Sequence, residues 1–380
     1  MIFFITLITI LSTIVLFCSC LAYAFGNYLL YDWTNWAGWC GIMIVIFVII
    51  GTTIIKTLEA FASVILKKFS FFNKRSEADA KEWLNHERRQ FLQYSMNIGL
   101  IVASSSLAVH GLSNGLSLPE VKEIDIEIEN LPSDLEGLSI VQITDLHISS
   151  AIRRNWVQNL VERVNVLDPD IIAFTGDIAD NVYAEISYDA APLAGLTARL
   201  GKFFVTGNHE YMHGVEEWIQ EMENMDFTVL LNSHRLIPHG CSLILIGGVA
   251  DYSAPSHSSH ASSPVEAMGD GFKADVKILL AHQPLSVYEA ARAGFDLQLS
   301  GHTHGGQFGL GSWLRSFVQP FQSGLYKYKN TQLYVSNGAG YVGPPVRLGA
   351  PSEISLLKLT DAGRGSIFLK SGRSNSGREN

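Results

Sequence analysis

Five short stretches carry residues that could do chemistry: Asp145-Leu146-His147, Gly176-Asp177, Gly207-Asn208-His209-Glu210, a lone His282, and Gly301-His302-Thr303-His304. Each follows directly on a brief apolar run, respectively "SIVQIT", "IIAFT", "FFVT", "KILLA" and "LQLS". Carboxylate, amide-oxygen and imidazole donors without a thiolate suit borderline or hard divalent cations such as Mn²⁺, Fe²⁺, Zn²⁺ or Mg²⁺. Asp145, His147, Asp177, Asn208, His282, His302 and His304 are more donors than one cation with open positions would use. Two cations sharing a bridging carboxylate fit that number better. Such a pair, about 3.5–4 Å apart, stabilises the attacking and leaving oxygens of a phosphoryl displacement. Glycines beside the donors allow close backbone approach, and the pair in "GHTHGG" can give one imidazole to each cation.

The elements that must position these residues are legible as well. From residue 120 onward short apolar runs alternate with amphipathic segments; "SLILIGG" and "QLYVSNG" complete a series of seven strand candidates. In "RRNWVQNLVERVNVLD", Trp156, Val157, Leu160, Val161, Val164 and Leu167 share one helical face. Strands of four to six residues with helices between them predict an α/β layered domain. In such sheets ligands bind outside the carboxyl ends of the strands, where all five stretches fall. Segments 180–197 and 251–271 read as loops or lids, and 366–380 as a disordered tail.

At this point the sequence resembles a known family. The series D-x-H, GD, GNHE, lone His and GHTH over about residues 137–360 is similar to the calcineurin-like metallophosphoesterases. The downstream "LYVSNGAGYVGPPVRLGAPSEI" resembles their bacterial membrane-associated branch, which includes UDP-2,3-diacylglucosamine hydrolases and twin-arginine-exported phosphodiesterases. The resemblance implies a four-layer α/β/β/α sandwich over 120–365. It implies one cation on Asp145, His147, Asp177 and His304, and another on Asp177, Asn208, His282 and His302, with Asp177 bridging. It further implies that metal-activated water attacks a phosphodiester, phosphomonoester or pyrophosphate, lipid-linked in some relatives. His209 then faces the phosphate and protonates the leaving group. Glu210 stands where many relatives have Asp. The rival is a membrane-tethered scaffold that keeps its metals without catalysis.

Other polar residues weigh less. His257 and His260 read as solvated in a Ser-rich insertion, and His213, His234 and His239 lack strand-end positions. Arg347, in "PPVRLG", suits either an anionic substrate or a structural ion pair. No residue is singled out for binding the substrate beyond its phosphorus.

The first 120 residues differ from the rest. The chain of 380 residues is 47% hydrophobic and 17% charged, and that apolar excess is concentrated here. Residues 1–25 and 33–55 hold no Asp, Glu, Lys or Arg, and each is long enough for a membrane-spanning helix. A cleaved signal peptide is the rival for the first run, which lacks a basic start and a small-residue cleavage site. Residues 56–93 form a basic linker with Lys56, Lys67, Lys68, Lys74, Arg75, Lys81, Arg88 and Arg89, whereas the aromatic loop 26–36 has no basic residue. By the positive-inside rule the linker is cytoplasmic. Residues 94–116 form a third, weaker span. The arginines of "ERRQFLQ" either resemble a twin-arginine signal or anchor that span; both readings put the domain after about 118 outside the cell membrane. A net charge of −9 gives no reason to expect nucleic acid as partner. Cys18, Cys20, Cys40 and Cys241 suggest neither a disulfide framework nor a thiolate site. Oligomeric state is not legible.

Overall fold

The computed structural model describes residues 8–18, 37–39, 41–57, 61, 86–149, 151–252, 254, 260–308 and 319–363. The chain divides into two compact units, residues 1–113 and 114–380. The basic linker, the aromatic loop, the tail and His257 lie outside the described residues, or largely so.

In the first unit, helix Ala37–Thr57, 21 residues long, reaches mean hydropathy 2.4 over an 18-residue stretch, and Phe91–Leu116, the 26-residue apolar part of helix His86–Leu116, reaches 1.3. Both are long and apolar enough to cross a membrane. Of the first apolar run only Ile8–Cys18 is described, a shorter apolar helix.

The second unit holds two six-stranded sheets among the described residues. The first has the order β1 (Glu120–Ile128), β12 (Glu353–Asp361), β2 (Ser139–Ile143), β3 (Ile171–Phe174), β4 (Gly201–Phe204) and β5 (Thr228–Val229). The second runs β10 (Gly324–Tyr328), β11 (Thr331–Val335), β9 (Leu297–Ser300), β8 (Val276–Leu280), β7 (Ser242–Gly248) and β6 (Ser233–His239). Strands β2 to β5 are mutually parallel, as are β7, β8, β9 and β11. All seven strands expected from the apolar runs form.

Side-chain alternation builds the layers. Ile140, Ile171, Ala173, Ile244, Ile246, Val276, Ile278 and Leu280 meet in a core between the sheets. Val141, Ile143, Ile172 and Phe174, on the opposite face of the first sheet, pack under helices. Leu245 and Leu279 do the same on the second sheet, under helices Pro264–Met268 and Val287–Ala293. The architecture is the four-layer α/β/β/α sandwich. Helix Arg154–Val166 buries Val157, Leu160, Val161 and Val164 and leaves Val166 outside. Leu160→Ala, at 0% exposure, should cost about 2–5 kcal/mol, whereas Val166→Ala should stay within about 0.5 kcal/mol. Denaturant midpoints of the two variants measure the difference.

Two expectations need correction. Segment 180–197 is no lid: helix Tyr183–Ala190 and the 3₁₀ turn Ala191–Gly195 bury Ile186, Ala190 and Leu193 in the core. Their spacing of three to four residues was hidden among polar neighbours. The end of segment 251–271 is also part of the body. Ser263 caps helix Pro264–Met268 by accepting from the Glu266 N–H at 3.3 Å, and Ala267 and Met268 are buried.

Candidate metal centre

The ends of β2, β3, β4, β8 and β9 bring all seven expected donors to one locality. Asp145, His147, Asp177, His302 and His304 adopt left-handed backbone conformations, with φ of 54°, 49°, 54°, 70° and 52°. Each such turn costs of order 1–3 kcal/mol, strain that characteristically collects at functional sites. Two glycines let the neighbouring backbone approach the carboxylates closely. A Cβ on Gly207 would strike the Asp177 carboxylate, and one on Gly301 would strike that of Asp145.

Two donor groups result. In the first, Asp145 Oδ1 lies 3.3 Å from His304 Nε2 and 3.9 Å from His147 Nε2, and the two Nε2 atoms are 3.0 Å apart. In the second, Asp177 Oδ2 lies 3.2 Å from His282 Nε2, and His302 Nδ1 lies 3.3 Å from that nitrogen and 3.0 Å from Asn208 Oδ1. The same Asp177 Oδ2 is 3.7 Å from His147 Nε2, so it faces both groups. Asp177 Oδ1 is taken up by the backbone N–H of His209 at 2.9 Å. Asp145 in turn accepts from the His302 N–H at 3.1 Å.

The tautomers suit cations. His282 Nδ1 is 2.7 Å from the Thr175 carbonyl, which only accepts, so its proton sits there and Nε2 offers a lone pair. His147 Nδ1 donates in the same way to Asp180 Oδ1 at 2.7 Å. Lone pairs and carboxylates thus converge in a buried space, and the donor chemistry fits divalent cations. Without a cation, the surrounding carboxylates instead favour a second proton on the His147 and His282 rings, which a cation would displace. Burial opposes charge on His147, yet Asp180, Asp177 and Asp145 outweigh it and raise its pKa to about 9. His282 is likewise raised, burial being outweighed by Asp177. Burial would raise Asp177, but His282 and His147 hold it below the usual carboxylate range. Burial and the neighbouring imidazoles keep His302 and His304 below the ordinary imidazole pKa.

His209 stands at the edge, its ring 4.5 Å from that of His147 in a T-shaped contact. Its Nδ1 is 2.8 Å from Asp180 Oδ1, close but off the line of a hydrogen bond. A donor atom of His209 also lies within 4.8 Å of donors on His147 and Asp177, so geometry alone admits it to a metal group.

Several roles were not legible in the sequence. Asp180 serves His147 and His209 with one oxygen. It follows Asp177 by three residues, and the bridge between Ile148 and Ala179 brings it level with His147; the D-x-x-D spacing was the available signal. Glu210, 1% exposed, accepts from the backbone N–H groups of Gly207 at 2.6 Å, Asp177 at 3.0 Å and Ile178 at 2.7 Å. It therefore rivets two site loops together. Burial, aided by Asp177, pushes its pKa to about 7. Arg347 is fully buried and donates to the carbonyls of Gly340, Ala350 and Asn337, which rules out the substrate contact considered for it. Its Nη2 also lies 3.3 Å from His304 Nδ1. Among the remaining histidines, the His213 ring is 6.0 Å from that of His209, His260 Nδ1 is 3.1 Å from the Tyr211 hydroxyl, and His234 meets the Ala267 carbonyl at 3.0 Å. His239 lies on β6.

A family model described as calcineurin-like phosphoesterase matches residues 138–306. An uncharacterized metallophosphoesterase of Helicobacter pylori is 34% identical over 298 residues, 78% of this chain and 78% of that one. Another, from Campylobacter jejuni, is 35% identical over 270 residues, covering 70% of each chain. A transmembrane protein with metallophosphoesterase domain from Danio rerio is 35% identical over 271 residues, 69% of this chain and 62% of that one.

Proposed function

We propose, because the chain belongs to the calcineurin-like phosphoesterases, that it is a membrane-anchored hydrolase of phosphoesters working with two divalent cations. One cation is held by Asp145, His147, Asp177 and His304, the other by Asp177, Asn208, His282 and His302. The observation that carries this reading is the single oxygen Asp177 Oδ2, which faces a donor group on either side. When bound, the cations would supply charge stabilisation for the attacking and leaving oxygens.

The chain's own residues do the rest. Asp180 orients the imidazoles of His147 and His209 with one carboxylate. With Nδ1 turned to Asp180, His209 keeps Nε2 for handing a proton to the departing oxygen. Glu210 and the strained turns fix the donors before substrate arrives, so little reorganisation remains for the reaction. Hydrolysis of bis(p-nitrophenyl) phosphate by the full chain in detergent with Mn²⁺ tests this. A folded, metal-loaded protein without turnover would favour the scaffold reading instead.

Cation uptake should tighten with pH. His147 holds a proton up to about pH 9 in the metal-free protein, and an incoming cation must displace it. Affinity therefore rises by up to about tenfold per pH unit for each proton released. The same proton stabilises the metal-free fold fully below the unfolded imidazole pKa of about 6.5, and that contribution fades as pH climbs through about 9. Calorimetric titrations at pH 6 to 8.5 measure the trend, and a flat affinity would contradict it.

Residues 1–25, 33–55 and 94–116 act as spans in this reading, with the basic linker 56–93 inside and the catalytic domain 120–365 outside. Fusion after Pro119 should give active alkaline phosphatase and a dark cytoplasm-only fluorescent protein. The reverse pattern would mean that 94–116 does not cross.

A further inference from the structure

Arg347 is 0% exposed, and its donors are spent inside the domain. Nε donates to the Gly340 carbonyl at 2.8 Å, Nη1 to that of Ala350 at 3.0 Å, and Nη2 to that of Asn337 at 2.8 Å. Nη2 also meets the Gly340 carbonyl, so both of its hydrogens have acceptors. The same nitrogen lies 3.3 Å from His304 Nδ1. That approach therefore fixes where the ring sits, not where its proton goes. Burying a guanidinium is costly unless hydrogen bonds satisfy it, and here backbone carbonyls do so.

The Asn337 and Gly340 carbonyls belong to the cover of one donor group. In loop 337–340, which follows β11, the Ala339 N–H donates to the Thr144 carbonyl at 2.9 Å and the Gly340 N–H to that of Asp145 at 2.8 Å. A Cβ on Gly338 would meet that of Asp145 at 2.7 Å, and one on Gly340 would strike the Leu146 carbonyl. The loop therefore lies directly on the turn that presents Asp145 and His147. Arg347 holds this loop and abuts His304, so it joins the end of β2 to the end of β9. The second group is held by other means. His282 Nδ1 meets the Thr175 carbonyl at 2.7 Å, His302 Nδ1 meets Asn208 Oδ1 at 3.0 Å, and the His209 N–H holds Asp177 at 2.9 Å.

We propose that Arg347 is a positioning residue for the first cation alone. It sets His304 against Asp145 and His147, while Asn208, His282 and His302 assemble without it. The centre is thus built as two halves that meet at Asp177 and can be lost separately. This rests on the reading of the site as a two-cation centre.

The test uses the full metal-free chain in detergent and follows Mn²⁺ uptake by the electron spin resonance of the free ion. Two backgrounds isolate the halves: His282→Ala leaves the first group intact, and His147→Ala leaves the second. Arg347→Lys keeps the charge but loses the planar fork. In the His282→Ala background it should weaken the remaining site about 10–100-fold, the usual effect of removing a ligand's outer partner. In the His147→Ala background the remaining site should stay within about twofold, as for groups without shared partners. Equal losses in both backgrounds, or none in the first, overturn the proposal. If Arg347→Lys does not fold, Arg347→Gln, which keeps an amide donor for the Gly340 carbonyl, carries the same expectation.

Gln307→Leu separates the order of the loop from the contact with His304. Buried Gln307 clamps the same 337–350 stretch at Val342, donating to its carbonyl at 2.7 Å and accepting from its N–H at 3.2 Å. That variant should melt at a lower temperature with both affinities unchanged. Loss of the first cation there would assign the effect to the loop and overturn the role of Arg347. The unmodified chain keeps the two readings apart. Fewer than two Mn²⁺ bound would sink the two-cation centre and this proposal with it; two bound, with Arg347→Lys indifferent, sinks this proposal alone.

Discussion

Asp177→Asn is expected to abolish metal binding and hydrolysis together. The carboxylate is buried and held ionised, and its Oδ2 faces His282 at 3.2 Å and His147 at 3.7 Å. Asparagine keeps the shape and still accepts from the His209 N–H, so the fold has little reason to change. It removes the one negative charge common to both donor groups. Loss of an outer partner of a ligand alone costs about 10–100-fold in metal affinity; losing a shared ligand should exceed that and leave turnover at background. Elemental analysis and thermal melting of the variant check the two halves. A variant that stays metal-loaded and active would remove the bridging role from Asp177.

His209→Ala should behave in the opposite way, keeping its metal while losing rate. Proton transfer by a positioned side chain contributes on the order of 10²–10⁴-fold, and the loss should appear in kcat with KM little changed. The geometry makes this a sharp test, because His209 lies close enough to His147 and Asp177 to be a ligand itself. A metal-free His209→Ala protein would make it one and leave the proton donor unassigned.

Much of this was legible because the site hangs on regular strands. "SIVQIT", "IIAFT" and "LQLS" are short apolar runs whose ends are marked by the polar residues themselves, so sequence order alone placed Asp145, Asp177 and His302 together. The seven strands found this way are buried, but so is β12, which was passed over although it lies inside its sheet. The other four passed over differ in kind: β1 alternates exposed acidic residues with Ile124, Ile126 and Ile128, β5 has two residues, and β6 and β10 lie at sheet edges. Asp180 escaped notice because it belongs to no strand end. It reaches His147 only through the alignment of two loops, a tertiary fact. Glu210 and Arg347 were visible as residues but not as roles, since both act on backbone N–H or carbonyl groups that leave no pattern in the sequence. Segment 180–197 misled for the converse reason, its few buried apolar residues being diluted by polar ones.

The central claim is that two cations share Asp177 and that both are needed for hydrolysis. Titrating the metal-free chain with Mn²⁺ while following bis(p-nitrophenyl) phosphate addresses it most directly. Two equivalents should bind per chain, with turnover appearing as the second is taken up. Saturation at one equivalent with full activity, or two bound equivalents in a folded protein with none, would contradict it.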